Sequence, residues 1–171
     1  MEKIIPCPFR IAFTGPECSG KTTLAQWLAK YLEFTYVAEY ARLFLSHKTA
    51  YSPQDVQQIG KEQFRLNQEK NQAVCDTEMT VIRVWEIVKY GKISKEIERL
   101  SAIENIDILF LCKPDMPWEY DPLREHPNER EVLFDLYYHD LRARNRKFIV
   151  LEGELSHRES RIITELEAYI V

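Results

Sequence analysis

No apolar run in this chain approaches the roughly 20 residues that a membrane-spanning helix needs. The N-terminal stretch MEKIIPCPFR has neither an apolar core nor a small-residue cleavage site, so it does not read as a secretory signal and the expected location is the cytoplasm. Basic charge is not in excess. Lys and Arg number 23 against 27 Asp and Glu, the formal charge is −4 and the pI about 5.7, which leaves no electrostatic footprint for DNA or RNA. The four cysteines (Cys7, Cys18, Cys75 and Cys112) form no C-x-x-C pair. They read as reduced, buried thiols of a cytosolic protein, with Cys75 and Cys112 inside apolar runs. The four histidines (His47, His126, His139 and His157) show no metal-ligand spacing and read as surface or locally hydrogen-bonded residues. Repeats and low-complexity segments are absent, as is an N-K-x-D base-reading motif, which argues against a GTPase switch. Glycine is scarce, with five in 171 residues, and its placement is therefore informative.

The length suits one domain over residues 1–171, and 45% hydrophobic with 29% charged residues is ordinary for a globular chain. Five short apolar segments read as strands: residues 10–14, 35–38, QAVCDT ending at Asp76, IDILFLC and KFIVLEG. Helices lie between and after them. One covers residues 20–33, with Leu24, Trp27, Leu28 and Leu32 on one face. A second begins at Glu39. A third follows Ser52, a candidate N-cap with Pro53 at the first helical position. The segment EMTVIRVWEIVKYG is a fourth, stopped by Gly91. EVLFDLYYHDLRAR and SHRESRIITELEAYIV complete the set. Alternation of strand and helix predicts a mostly parallel five-stranded sheet with helices on both faces. Ligands of such sheets bind outside the carboxyl ends of the strands, and Gly15, Glu39, Asp76, the segment after Cys112 and Glu152 all fall there.

Two of the five glycines frame the stretch GPECSGKT, a G-x-x-x-x-G-K-[ST] motif between an apolar strand and a helix. By average composition it arises by chance in roughly one in a few hundred chains of this length. Gly15 and Gly20 let the backbone bend so that N–H groups point inward, and with the helix N-terminus they form an anion cradle. The residues that would line it are Gly15, Pro16, Glu17, Cys18, Ser19, Gly20, Lys21, Thr22 and Thr23. Lys21 is expected to reach the β- and γ-phosphates of ATP, and Thr22 to present its hydroxyl to Mg²⁺. The Glu17 carboxylate is expected to point away from phosphate. The three-layer α/β/α P-loop fold follows from the motif and its context.

Phosphoryl transfer needs positioning and charge neutralisation more than covalent chemistry. Asp76 ends a buried strand, where a magnesium-organising carboxylate belongs; the alternative is a helix N-cap, although Thr77 is available for that. Glu39 stands on the same rim with the same two readings, and either carboxylate is a candidate general base. Residues 113–130 form a long connection rich in proline and charge, the pattern of a lid. Arg124 or Arg130 would close on the phosphoryl group by bidentate contacts. Trp118 would stack on a ring or plug the lid onto the core. Tyr40, Tyr51, Phe64, Trp85 and Trp118 are the aromatics available to a partly aromatic acceptor pocket.

GPECSGKTTL, EYAR at residues 39–42, CDT at 75–77 and DMPWEYDPLR at 115–124 occur in that order. The set resembles the nicotinamide riboside kinase domain of NadR-type NAD-biosynthesis proteins, over almost the whole chain. The resemblance implies a fold related to nucleoside and nucleoside-monophosphate kinases, and transfer of the γ-phosphate of ATP, with Mg²⁺, to the 5′-hydroxyl of nicotinamide riboside. It implies that Glu39, Tyr40, Arg42 and Asp76 face the nucleoside and the transferring group, with Trp118, Asp121, Arg124 and Arg130 in the lid. Two positions depart from the family pattern. Ala38 stands where members often carry a Trp before the Glu-Tyr pair, and Asp121 is followed by Pro122 where Asp-Gly is common. Both touch acceptor recognition or the lid and leave the ATP half intact. The adenylyltransferase domain of NadR proteins does not fit in 171 residues, so the resemblance implies a kinase that stands alone or is partnered by a separate adenylyltransferase. The competing readings are an ATP-binding regulatory module without turnover and a kinase for another nucleoside or nucleotide.

Overall fold

The computed structural model describes residues 6–121, 125 and 128–169. Strands β1 (Phe9–Thr14), β2 (Thr35–Val37), β3 (Gln72–Cys75), β4 (Ile108–Cys112) and β5 (Ile149–Leu151) form one sheet in the order β2-β3-β1-β4-β5. Every pairing is parallel, so the sheet is wholly rather than mostly parallel among the described residues. The helices are α1 (Lys21–Leu32), α2 (Tyr40–Leu45), α3 (Pro53–Glu69), α4 (Met79–Tyr90), α5 (Lys95–Ile103), α6 (Arg130–Ala143) and α7 (Leu155–Leu166).

The central strand β1 is buried along its full length, and successive side chains serve opposite layers. Phe9, Ile11 and Phe13 enter a core with Leu24 and Leu28 of α1 and Ile162 and Leu166 of α7. Ala12 faces the other layer, with Val84 of α4 and Leu133, Tyr137 and Leu141 of α6. A third cluster joins α2 and α3 to α4 and α5 through Ala41, Val56, Ile59, Ile82 and Ile97. In the register of the sheet Ala12 lies opposite Cys75 on one side and Leu109 on the other. The segments that follow β1, β3 and β4 therefore leave the sheet side by side.

Local signals explain most boundaries. Ser52 and Asp55 form a reciprocal capping box at the start of α3, behind Pro53. Gly91 ends α4 in the left-handed conformation, with φ 69°. Residues 95–103 carry no predicted element, yet they form α5: Ser94 accepts a hydrogen bond from the Ile97 N–H, and Ile97, Leu100 and Ser101 are buried. Glutamates and Arg99 between them dilute that short stripe. The thiols divide. Cys75 and Cys112 are buried as expected, and burial pushes the Cys112 thiol up to about 12. Cys7 is exposed and Cys18 half-buried, which corrects the expectation of four buried thiols.

Behind α4, Glu104 is buried, with Oε1 accepting from Asn67 Nδ2 at 3.1 Å and Oε2 from the Met79 N–H at 3.1 Å. Burial, and next the charge of Glu78, push its carboxyl up to about 8. The folded chain thus holds this proton more tightly than the unfolded chain, so stability is fully present below the unfolded carboxyl value and is lost as pH rises towards 8. Thermal denaturation should show the melting temperature falling between about pH 5 and pH 8, and Glu104→Gln should flatten that slope; an equal slope in both proteins would contradict the assignment.

Candidate active site

The loop between β1 and α1 is shaped by two glycines. Gly15 has φ 131°, and a Cβ there would lie 2.6 Å from the Cys112 carbonyl oxygen of β4. Only glycine lets the chain leave the sheet this close to a neighbouring strand. Gly20 has φ 83° and precedes α1, whose N-terminus receives no side-chain cap. The first-turn N–H groups and the positive end of the helix thus meet the loop with no side-chain cap and no acidic residue in the first turn. Ser19 Oγ closes the loop internally on the Pro16 carbonyl at 2.7 Å. Lys21 Nζ donates to the Gly15 and Pro16 carbonyls at 2.8 and 2.7 Å, which holds the ammonium across the loop.

Asp76 follows β3 and is 2% exposed. Its Oδ2 accepts from Thr22 Oγ1 at 2.8 Å and from Tyr36 Oη at 3.0 Å. Burial, and next the Asp76 charge, raise the Tyr36 phenol well above its ordinary value. Asp76 does not cap α4, and neither does Thr77: Glu78 does, accepting from the Thr80 N–H at 2.9 Å. A hydroxyl and a carboxylate meeting beside the phosphate loop are oxygen donors of the kind a small hard cation takes, so these residues fit Mg²⁺.

Glu39 occupies the N-cap position of α2 but makes no capping bond. Its side chain lines the main cleft and is about a quarter exposed, with Oε2 3.4 Å from Arg42 Nε. Burial raises its carboxyl; Lys21 and Arg42 pull it down, and Asp76 and Glu17 push it up. Two carboxylates, a lysine and an arginine are therefore within electrostatic reach of one another at the rim.

The cleft has a volume of about 460 Å³ and extends from the phosphate loop past Glu39 and Arg42 to Tyr51 and Trp85. The rings of Tyr51 and Trp85 meet edge to face with centroids 5.2 Å apart, and Trp85 Nε1 donates to Tyr51 Oη at 3.1 Å. Tyr40 is not part of this wall. It packs on Phe44 at 6.0 Å and lies over a shallow groove beside β2, which corrects its expected place beside the acceptor: starting α2 at Tyr40 turns Glu39 and Arg42 to one side and Tyr40 to the other. Phe64 likewise packs against the core.

Residues that follow β4 contact the phosphate loop through both side-chain and backbone atoms. Glu119 N–H meets Cys18 Sγ at 3.2 Å, and Glu17 Oε1 accepts from the Glu125 N–H at 3.2 Å. Arg130 donates to the Met116 and Cys18 carbonyls at 2.8 and 3.3 Å, and its guanidinium lies 5.6 Å from the Trp118 ring centroid. Arg130 thus buttresses the loop instead of pointing at a phosphoryl group, and Trp118 stacks on Arg130 instead of lining the cleft. Asp121 also lies outside the cleft wall and holds Arg42 at 2.8 Å. Arg124 lies outside the described residues.

One residue had no signal in the sequence. Arg158, in the first turn of α7, is 1% exposed. It donates to the carbonyls of Ser19 at 2.7 Å, Gly153 at 2.8 Å and Lys113 at 3.0 Å, and it pairs with Asp115. Asp115 also accepts from the Gly153 N–H at 2.7 Å. A single guanidinium thereby ties the phosphate loop to the ends of β4 and β5.

Fold and loop define a P-loop nucleotide-binding α/β protein. The AAA domain family profile matches residues 10–158, and the chain belongs to that family. No curated protein matches the chain at a significant level. Solved structures of like fold include the NadR protein in complex with NR, with a TM-score of 0.75 and 18% identity over 94% of this chain and 50% of that one. Thymidylate kinase from Ehrlichia chaffeensis has a TM-score of 0.67 and 18% identity over 95% and 100% of the two chains. Deoxyadenosine kinase from M. mycoides has 0.62 and 14% over 94% and 99%. These likenesses show a shared P-loop kinase fold. The chain spans about half the length of the NadR chain it matches.

Arg158→Ala should lower stability by about 3 kcal/mol in urea denaturation, because it strands Asp115 and three carbonyls. A loss below about 1 kcal/mol would show that the loop does not depend on this tie.

Proposed function

We propose that this chain is an ATP-dependent kinase that transfers the γ-phosphate to the 5′-hydroxyl of nicotinamide riboside, giving nicotinamide mononucleotide. The observation that carries the reading is the convergence of three features on one cleft: an uncapped helix N-terminus behind a glycine-framed loop, the Thr22–Asp76 oxygen pair, and an uncapping Glu39 whose carboxylate faces the cavity. The EYAR, CDT and PWEYD motifs in order and the likeness to NadR in fold support nicotinamide riboside as the acceptor. The fold is shared with kinases of other nucleosides and nucleotides, so these are the acceptors to compete against it.

The loop amides and Lys21 bind and orient the triphosphate, and Lys21 places positive charge at the transferring phosphoryl. Thr22 and Asp76 would hold Mg²⁺, which supplies charge neutralisation of the phosphates when bound. Asp76 is committed to Thr22 and Tyr36. Glu39 faces the cavity with a raised carboxyl, so Glu39 is the group assigned to orient the acceptor hydroxyl and accept its proton. Arg42 holds Glu39 against the lid through Asp121, and Tyr51 with Trp85 supplies flat apolar surface for a ring. The product is a substrate for an adenylyltransferase, the partner enzyme that this reading places next to it in the cytoplasm.

Coupled ADP release should be measured with nicotinamide riboside, nicotinic acid riboside, common nucleosides and nucleoside monophosphates. The highest kcat/KM is expected for nicotinamide riboside; a higher value for another acceptor reassigns the substrate, and no ADP release with any of them removes the kinase reading. Lys21→Ala should lower kcat at least about a hundredfold while the chain still folds, since the side chain is not part of the buried core. Asp76→Asn should lose most of kcat with a smaller change in ATP KM; near-normal turnover in either variant contradicts its assigned role.

A further inference from the structure

Glu39 and Asp76 sit on different turns, one after β2 and one after β3. Their backbones are linked directly by the Asp76 N–H, which donates to the Val37 carbonyl at 2.9 Å. A second link runs through α3. Gln63 and Asn67 are one helical turn apart and fully buried, on the same stripe as Val56 and Ile59. An apolar residue would continue that stripe. Instead two primary amides are buried, a costly choice unless every N–H and C=O finds a partner.

They do find partners. Gln63 Oε1 accepts from the Tyr40 N–H at 2.7 Å, and Gln63 Nε2 donates to the Ala38 carbonyl at 3.2 Å. The amide thus grips the backbone on both sides of Glu39. Gln63 Nε2 also donates to Asn67 Oδ1 at 2.9 Å. Asn67 Nδ2 donates to the carbonyl of Thr77, the residue after Asp76, at 2.9 Å, and to Glu104 Oε1 at 3.1 Å. All four amide N–H donors and both carbonyls of the pair are used.

The bond to Tyr40 falls on the first N–H of α2, whereas an N-cap side chain ordinarily accepts from the second or third. Here the N-cap is Glu39, which makes no such bond. Gln63 accepts from the Tyr40 N–H of that first turn, and the Glu39 carboxylate faces the cleft instead of folding back on its own helix.

We propose that Gln63 and Asn67 are positioning residues for phosphoryl transfer: they clamp the Glu39 turn to the Asp76 turn and so set where the two carboxylates stand relative to each other. The inference rests on the kinase reading for its chemistry and on geometry alone for the clamp. In-line transfer is sensitive to displacements of about 1 Å, which can cost about a hundredfold in rate. An amide clamp on the backbone is a device for preventing such a displacement.

Three variants test it. Gln63→Met keeps length and loses every hydrogen bond; Gln63→Glu keeps an acceptor for the Tyr40 N–H; Asn67→Leu cuts the link to Thr77. Turnover is read by ADP release with nicotinamide riboside, or with whichever panel acceptor the wild type phosphorylates best. Binding of ATP with Mg²⁺ is read by calorimetry and folding by thermal melting. Gln63→Met and Asn67→Leu should lower kcat about ten- to a hundredfold with ATP affinity within twofold, and Gln63→Glu should recover part of the loss. A drop in melting temperature with kcat and acceptor KM within twofold of wild type would make the amides structural only and overturn the proposal. Should the wild type phosphorylate no acceptor, the kinase reading fails by itself, and crystal structures of the wild type and Gln63→Glu still judge the clamp. A shifted Glu39 turn beside an unmoved phosphate loop is expected, and superimposable turns would overturn it. The same pair of structures decides the matter should Gln63→Met or Asn67→Leu not fold.

Discussion

The close approach of Gly15 to the backbone of β4 is the constraint from which the site is built. A Cβ at that position would collide with the Cys112 carbonyl, so the chain can turn out of β1 only with glycine there, and only because β1 lies between β3 and β4. In a parallel sheet all strands end at one rim. The central strand delivers the phosphate loop, and its two neighbours deliver Asp76 and the start of the lid to either side of it. Arg158 then fixes the far side of the loop by holding the Ser19 carbonyl from α7. The phosphate loop is consequently held by the sheet below and by a buried guanidinium behind.

The two rim carboxylates have been given different surroundings and can do different things. Asp76 is buried and accepts hydrogen bonds from two hydroxyls, which fixes its orientation towards Thr22. Glu39 stands in the cavity, desolvated enough for its carboxyl to be raised, yet balanced by Lys21 and Arg42. One is suited to holding a cation in place and the other to exchanging a proton with an alcohol. That division follows from burial and from partner type, and a list of acidic residues does not contain it.

Residues between β4 and α6 are joined to the phosphate loop at Glu17 and Cys18. Cys18 meets the Glu119 N–H, Glu17 meets the Glu125 N–H, and Arg130 spans the Cys18 and Met116 carbonyls. Arg42 makes the reverse connection, from α2 to Asp121.

Much of this was legible in the sequence. The five strands, the phosphate loop, the Ser52 cap, the Gly91 stop and the rim positions of Glu39 and Asp76 all follow from local patterns, because turns, caps and strand ends are governed by neighbours in the chain. Helix α5 escaped notice because its apolar stripe is short and interrupted by charge. What only the tertiary structure decided is which side chain meets which loop. Tyr40 turns to the wrong side for the cleft, Arg130 props the loop, and Arg158 reaches a carbonyl 139 positions away. Gln63 and Asn67 look like ordinary polar positions of a polar helix until the packing of α3 buries them against two turns. Sequence periodicity tells which residues share a face of a helix, but it carries no information about what that face is packed against, and hydrogen bonds across such distances depend on that packing alone.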